Sequence, residues 1–157
     1  MQFRDFIAPE RIMANLSAAT KAEAISELAE PLFANGAVNP ELREGVLSAL
    51  FHREELQSTA IGQGFSLAIP HAKHPGVRGL VGTFGRSREG VDFASSDGQP
   101  VHFFFLLLSN RECADRHLKA LAYISRKFRN PDFRNCLLRA VNKGQIVNFL
   151  EDSDNEE

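Results

Sequence analysis

The chain has 157 residues, 43% of them hydrophobic, which suits one domain with a substantial core and leaves little room for two. Eighteen basic against twenty acidic residues give a formal charge of -2, which argues against a dedicated nucleic-acid binder, and 11 glycines with 7 prolines exclude a collagen-like repeat or wholesale disorder. Two cysteines, Cys113 and Cys136, are too few for a disulfide scaffold, so a reducing compartment is expected.

The first residues, MQFRDFIAPERIMANL, lack the basic-then-apolar pattern of a secretory signal. From Lys21 to Phe33 the apolar Ile25, Leu28, Ala29, Leu32 and Phe33 recur at helical spacing, with Thr20 as N-cap and Asn35-Gly36 as the stop. Pro31 lies inside this pattern and predicts a break near Glu30. A second helix is predicted from Pro40 to about Arg53, with Leu42, Val46, Leu47, Leu50 and Phe51 on its apolar face. The polar, glycine-punctuated stretch 58–64 (STAIGQG) reads as a binding loop, followed by a short strand from Phe65 to Ile69 that ends at Pro70.

Strands are predicted over Val77–Phe84 and Val91–Phe93, with Ser87–Gly90 as the turn between them. Arg86 and Arg88 add positive charge to this turn region. After the turn at Asp97–Pro100, Val101 to Leu108 (VHFFFLLL) is continuously apolar, as a central strand covered on both faces would be. A helix starting near Ala114 is predicted to pack through Leu118, Leu121, Ala122, Ser125 and Phe128. Another follows from Pro131, through Phe133, Cys136, Leu137, Ala140 and Val141, and a last segment runs from Lys143 to Leu150. Helices, a cluster of strands, then helices predict an α/β three-layer sandwich with a mixed central sheet flanked by helices. The domain is expected to span residues 1–150. Residues 151–157 hold five acids and read as a disordered acidic tail, leaving a body of eighteen bases against fifteen acids, +3, that suits an acidic or phosphorylated partner.

Among the histidines, His71 follows a strand-like run directly and His117 sits in the first turns of a helix, while His52 and His102 read as structural. A group just beyond a strand end in an α/β protein is well placed for ligand or phosphoryl chemistry, and imidazole is a nucleophile near neutral pH. A zinc reading competes, through His71-x-x-His74 with His117, but no Asp, Glu or Cys has ligand spacing and Lys73 brings a cation toward the site. Gly62-x-Gly64 leads into a strand instead of a helix, so it supports no nucleotide site, and no GxSxG elbow is present.

The run Arg53-Glu54, Ser58-Thr59, Ile61-Gly62-x-Gly64, then Ala68-Ile69-Pro70-His71-Ala72-Lys73, resembles the active-site signature of the fructose/mannitol-type enzyme IIA domain. That domain belongs to the bacterial phosphoenolpyruvate-dependent phosphotransferase system. Asp97-Gly98-Gln99-Pro100-Val101, His117-Leu118-x-x-Leu121 and Arg139 within LLRA extend the likeness over most of the chain, about Phe6 to Leu150. The resemblance implies a phosphohistidine relay with no cofactor and no metal. His71 would take a phosphoryl group from a histidine-containing phosphocarrier protein, general or nitrogen-branch. His117 and Arg53 would complete the catalytic site, Ser58 or Thr59 would offer a hydroxyl, and the loop at Gly62 and Gly64 would add backbone N–H donors. Lys73 and His74 would flank the pocket. The segment between Gly64 and His71 is two residues longer than the GIAIPH form common in the family, which bears on the placement of Ser58 and Thr59.

Two branches of the family fit. A stand-alone nitrogen-regulatory IIA protein binds target proteins according to its phosphorylation and turns over no small molecule. A sugar-specific IIA component passes the phosphoryl group to a IIB cysteine during uptake. The chain carries no fused IIB domain, which favours the regulatory branch. A non-catalytic interaction module on the same fold is the third reading. No nucleic acid and no membrane insertion are expected, and a cytoplasmic location is.

Overall fold

A computed structural model describes residues 1–156, and its architecture is organised around one apolar strand. That strand, β5 (Val101–Ser109), is paired on both sides within a mixed five-stranded sheet. On one side it runs antiparallel to β4 (Leu80–Val91), which in turn pairs in parallel with β1 (Ile12–Met13). On the other side it pairs in parallel with β2 (Leu67–Ala68) and β3 (His71–Lys73). Leu67 opposes Phe103 and His71 opposes Leu107, so β2 and β3 are one strand in constant register. The gap between them reflects Pro70, which has no N–H to give the ladder although its carbonyl still accepts from Leu107 N at 2.9 Å.

Alternate residues of β5 point into two separate cores. Phe103, Phe105 and Leu107 face α3 (Ala114–Phe128), α4 (Pro131–Arg139) and α5 (Lys143–Asn155). Phe104, Leu106 and Leu108 face α1 (Lys21–Ala34) and α2 (Arg43–Leu56). A strand buried on both faces gains nothing from alternation, which is why its sequence shows none. The expected three-layer sandwich with a mixed sheet is the architecture found.

Several local expectations are corrected. Helix α1 continues past Pro31 to Ala34. An interior proline costs about 3 kcal/mol, whereas complete burial of Leu28, Leu32 and Phe33 offers about 1.5–3 kcal/mol each, so packing wins. Thr20 does cap this helix, accepting from Glu23 N at 3.2 Å. Val77 lies outside the strand, and Ser87–Gly90 is no turn between strands but an irregular stretch within β4, where the register shifts between Arg86 and Val91. Arg86 adds no surface charge there. Its guanidinium is fully buried and donates to Ala14 O at 3.0 Å and Leu137 O at 2.8 Å, holding the C-terminal turn of α4 against β4.

Helix α3 is rotated from its predicted face, while α4 keeps most of its own. In α3 the buried residues are His117, Ala120, Tyr123, Ile124 and Phe128, while Leu118 is 65% exposed. In α4 and just after it Phe133, Leu137 and Ala140 are buried, but Cys136 and Val141 face outward. The acidic tail is also corrected: α5 runs on to Asn155, and Asp154 is 1% exposed. Its carboxylate accepts from Phe3 N at 2.8 Å, Arg4 N at 3.1 Å and the Tyr123 hydroxyl at 2.8 Å, so it caps the N-terminal 3-10 turn at Phe3–Asp5. Glu157 lies outside the described residues. No helix among the described residues is long and apolar enough to cross a membrane.

Candidate functional site

The sheet brings His71 to the α3 side through the alternation of the 67–73 strand, in which Leu67, Ile69 and His71 share one face and Ala68 and Ala72 the other. Helix α3 starts beside that face. Asn110 accepts from Cys113 N at 3.0 Å and donates to Val77 O at 3.1 Å, which pins the connection leaving β5 and sets His117 in the first turn of the helix. The last turn of α2 supplies Arg53. These three residues line one open cleft of about 330 Å³, together with Lys73 and the rim residue Leu118. Two cations and two imidazoles face it, and among the described residues no carboxylate does. The N-terminal end of α3, through Ala114 and His117, adds a positive dipole end. The cleft is built to receive an anion.

The two rings lie with centroids 5.3 Å apart and planes at 66°. His71 Nδ1 is 2.7 Å from Ile69 O, which only an N–H can satisfy, so Nδ1 carries the proton and Nε2 keeps the lone pair. Burial holds the His71 pKa below the ordinary imidazole value; the Ile69 hydrogen bond opposes this, Arg53 and Lys73 lower it further, and Glu54 raises it. The ring is therefore neutral and nucleophilic at neutral pH. His117 is 3% exposed, and burial, followed by His71 and Lys73, pushes its pKa down to about 4. Its Nδ1 contacts Ser109 Oγ at 2.6 Å, and its Nε2 has no hydrogen-bond partner among the described residues. A buried imidazole nitrogen without a partner is costly unless a ligand supplies one.

Arg53 donates to Gln57 O at 2.8 Å, which anchors the guanidinium at the cleft edge. The neighbouring Glu54 turns inward. Its buried carboxylate takes both Thr59 N at 2.7 Å and Thr59 Oγ1 at 2.6 Å, and pairs with Lys21 at 3.2 Å.

The expected hydroxyl donors are thus placed elsewhere. Thr59 is clasped by Glu54, and the Ser58 hydroxyl donates to Phe93 O and accepts from Ala60 N. Neither lines the cleft. The glycine loop is also away from it. Ile61 N donates to Leu67 O and Ile69 N to Thr59 O, making a hairpin whose tip is Gly62–Ser66. Gly62 and Gly64 take φ of 74° and 75°, a Cβ at Gly62 would collide with Ser96 Oγ, and Gly64 N donates to Asp97 at 2.9 Å. The hairpin pairing closes at Thr59 and Ile69, before His71. Of the two flanking candidates, Lys73 lines the cleft. His74 does not: its Nδ1 accepts from Gly76 N at 3.0 Å in a turn against α2. That removes the His71–His74 zinc geometry, and no group of three His, Cys, Asp or Glu among the described residues could hold a metal ion.

Of three further participants, Leu118 and Glu54 stand in the matched motifs without a site role, and Ser109 stands in none. Leu118 reads as core by helical spacing yet rims the cleft. Glu54 is adjacent to Arg53 but serves the loop. Ser109 is a polar residue ending a six-residue apolar run, Phe103–Leu108, and that interruption is its only signal.

Comparison with known proteins agrees with this fold. A nitrogen regulatory protein of Bradyrhizobium diazoefficiens is 38% identical over 147 residues, covering 94% of this chain and 92% of its own. A fructose-specific EIIABC component of the phosphotransferase system from Bacillus subtilis is 32% identical over 154 residues; this chain matches 24% of its length. The crystal structure of the nitrogen regulatory protein IIA-Ntr from Neisseria meningitidis superposes with a TM-score of 0.82 at 30% identity, covering 93% of this chain and 97% of that one. Residues 5–153 match the family described as phosphoenolpyruvate-dependent sugar phosphotransferase system, EIIA 2. With the sheet, the paired imidazoles and these likenesses in agreement, the chain belongs to the EIIA type 2 family of the phosphotransferase system.

Proposed function

We propose that this protein accepts a phosphoryl group on His71 Nε2 from a phosphohistidine of a carrier protein and acts as a regulator whose binding to target proteins depends on that group. The observation that carries the reading is the lone pair of His71 Nε2, left free by the Ile69 hydrogen bond, on a ring 5.3 Å from that of His117 in a cleft that no carboxylate among the described residues lines. In the transfer, the Nε2 lone pair forms a bond to phosphorus while the P–N bond of a donor phosphohistidine protonated on its other ring nitrogen breaks, so the donor leaves as neutral imidazole and His71 becomes a cationic ring whose Nδ1–H stays on Ile69 O. The equatorial oxygens keep their charge throughout. Arg53, Lys73 and the α3 terminus would balance that charge, and most phosphoryl transfer is positioning and electrostatics of this kind. The exposed Leu118 at the rim offers an apolar contact to a docking protein.

The greater identity to a nitrogen regulatory protein, over nearly the whole of both chains, supports the regulatory branch. The likeness to a fructose-specific EIIABC component carries the second reading, transfer onward to a IIB cysteine during sugar uptake. The test is incubation with phosphoenolpyruvate, enzyme I and a histidine phosphocarrier, followed by intact mass measurement. An acid-labile gain of one phosphoryl group that His71→Ala abolishes is expected. A gain that survives in His71→Ala, or no gain in the native chain, would overturn the relay. Rapid loss of the label to an added IIB domain would favour the sugar branch.

A further inference from the structure

We propose that Ser109 is a positioning residue that fixes His117 as its Nε2–H tautomer, so that His117 presents a neutral hydrogen-bond donor to the phosphoryl group on His71. The inference rests on the relay reading above for its purpose, but not for its geometry.

The Ser109 hydroxyl is wholly buried, and the ring it meets is nearly so. At 2.6 Å between Oγ and Nδ1 they share one proton, with two ways to place it. If Nδ1 donates, the hydroxyl proton of Ser109 has no acceptor and Nε2 is left as a bare, unpaired lone pair. If the hydroxyl donates, both Ser109 and Nδ1 are satisfied, and the only group still without a partner is Nε2–H. Buried polar groups are overwhelmingly paired, so the arrangement with one unmet group is favoured over that with two. The one left unmet is on a residue that lines the cleft with His71, whereas Nδ1 is committed to the strand.

Ser109 is well mounted for such a task. It ends β5 and is flanked on both sides of the sheet, opposite Lys73 and Leu80, while its carbonyl accepts from His74 N at 2.9 Å. Its hydroxyl position is therefore set by the sheet, and the ring orientation follows from it. A bare lone pair at Nε2 would repel a phosphoryl oxygen, whereas Nε2–H attracts it. The tautomer decides whether His117 helps or opposes the chemistry. The Ser109 hydroxyl can also accept, so it remains a partner to Nδ1 if the ring gains a second proton beside a dianion.

The test reads the tautomer directly, by long-range proton–nitrogen NMR on unphosphorylated protein labelled with 15N-histidine at neutral pH. The expected native pattern is His117 with Nε2 protonated and Nδ1 bare. In Ser109→Ala a mixture of tautomers is expected, with carrier-dependent phosphorylation of His71 slowed about tenfold. A native His117 protonated on Nδ1 would overturn the proposal, as would a Ser109→Ala variant with an unchanged tautomer and unchanged rate. Because the NMR measurement needs no phosphoryl donor, a chain that accepts no phosphoryl group would overturn the relay while leaving the tautomer assignment to stand or fall on its own spectrum.

Discussion

Asp154→Ala is expected to unfold the protein about 10 °C earlier, although the residue stands in the chain's acidic end. The native carboxylate holds three donors, two on Oδ1 (Phe3 N and the Tyr123 hydroxyl, both at 2.8 Å) and one on Oδ2 (Arg4 N at 3.1 Å). Phe3 is 2% exposed, and its ring stacks on Phe105 with centroids 5.4 Å apart, so this clasp holds the N-terminal turn in the core. Hydrogen bonds to a charged group contribute about 1.5–3 kcal/mol each, and an orphaned buried donor costs about 1–3 kcal/mol. Allowing for partial relaxation, the alanine variant loses about 3 kcal/mol. For a chain of this length each kcal/mol moves Tm by about 2–4 °C. Asp154→Asn is the control: its single carbonyl oxygen can keep both Oδ1 partners and loses only Arg4 N, for about 1 kcal/mol. Thermal unfolding followed by circular dichroism at neutral pH measures both. A fall in Tm of under about 2 °C for Asp154→Ala would refute the reasoning, since it would mean the last helical turn holds nothing.

Two further outcomes follow from the site. Thr59→Val removes the hydroxyl bond to Glu54 but keeps the backbone one, so it should cost about 1–2 kcal/mol by chemical denaturation while leaving His71 phosphorylation intact. Normal stability with lost phosphorylation would instead return that hydroxyl to the phosphate. For pH, the folded His117 pKa of about 4 lies below its ordinary value of 6.5. The unfolded chain then binds more protons between those values, so this group's contribution to stability is present above about pH 6.5 and is lost as pH falls toward about 4. Denaturation midpoints of the native chain and His117→Gln, measured across that window, should converge as pH falls; parallel curves would contradict the buried neutral ring.

Much of the site was legible because it is local or chemically distinctive. His71 directly after Pro70, His117 near a helix start and Arg53 near a helix end could each be named from the chain, and the cleft brings all three together. For Ser58, Thr59 and the glycines, the sequence shows that a loop is polar and flexible but not which way its donors point. Here Glu54, Phe93 and Asp97 had already taken them. For Leu118, helical spacing defines a stripe without saying where the sheet lies around it.

The sequence by itself determined the layer order, since an apolar strand with no alternation must be covered on both faces and amphipathic helices on either side must cover it. It also pointed to His71 as the proposed nucleophile, through the Ala68-Ile69-Pro70-His71-Ala72-Lys73 run that resembles the enzyme IIA signature. Only the tertiary structure decided where charge and donors end up. Arg86 is buried under the end of α4, Asp154 holds the N-terminus, and Ser109 meets a ring eight residues further along the chain. The physical reason is that burial of a polar group is settled by its partners, and partners distant along the chain are chosen by packing. The body that reads as +3 in the sequence thus directs Arg53 and Lys73 into the cleft, while one of its arginines and one acid of the tail serve the fold.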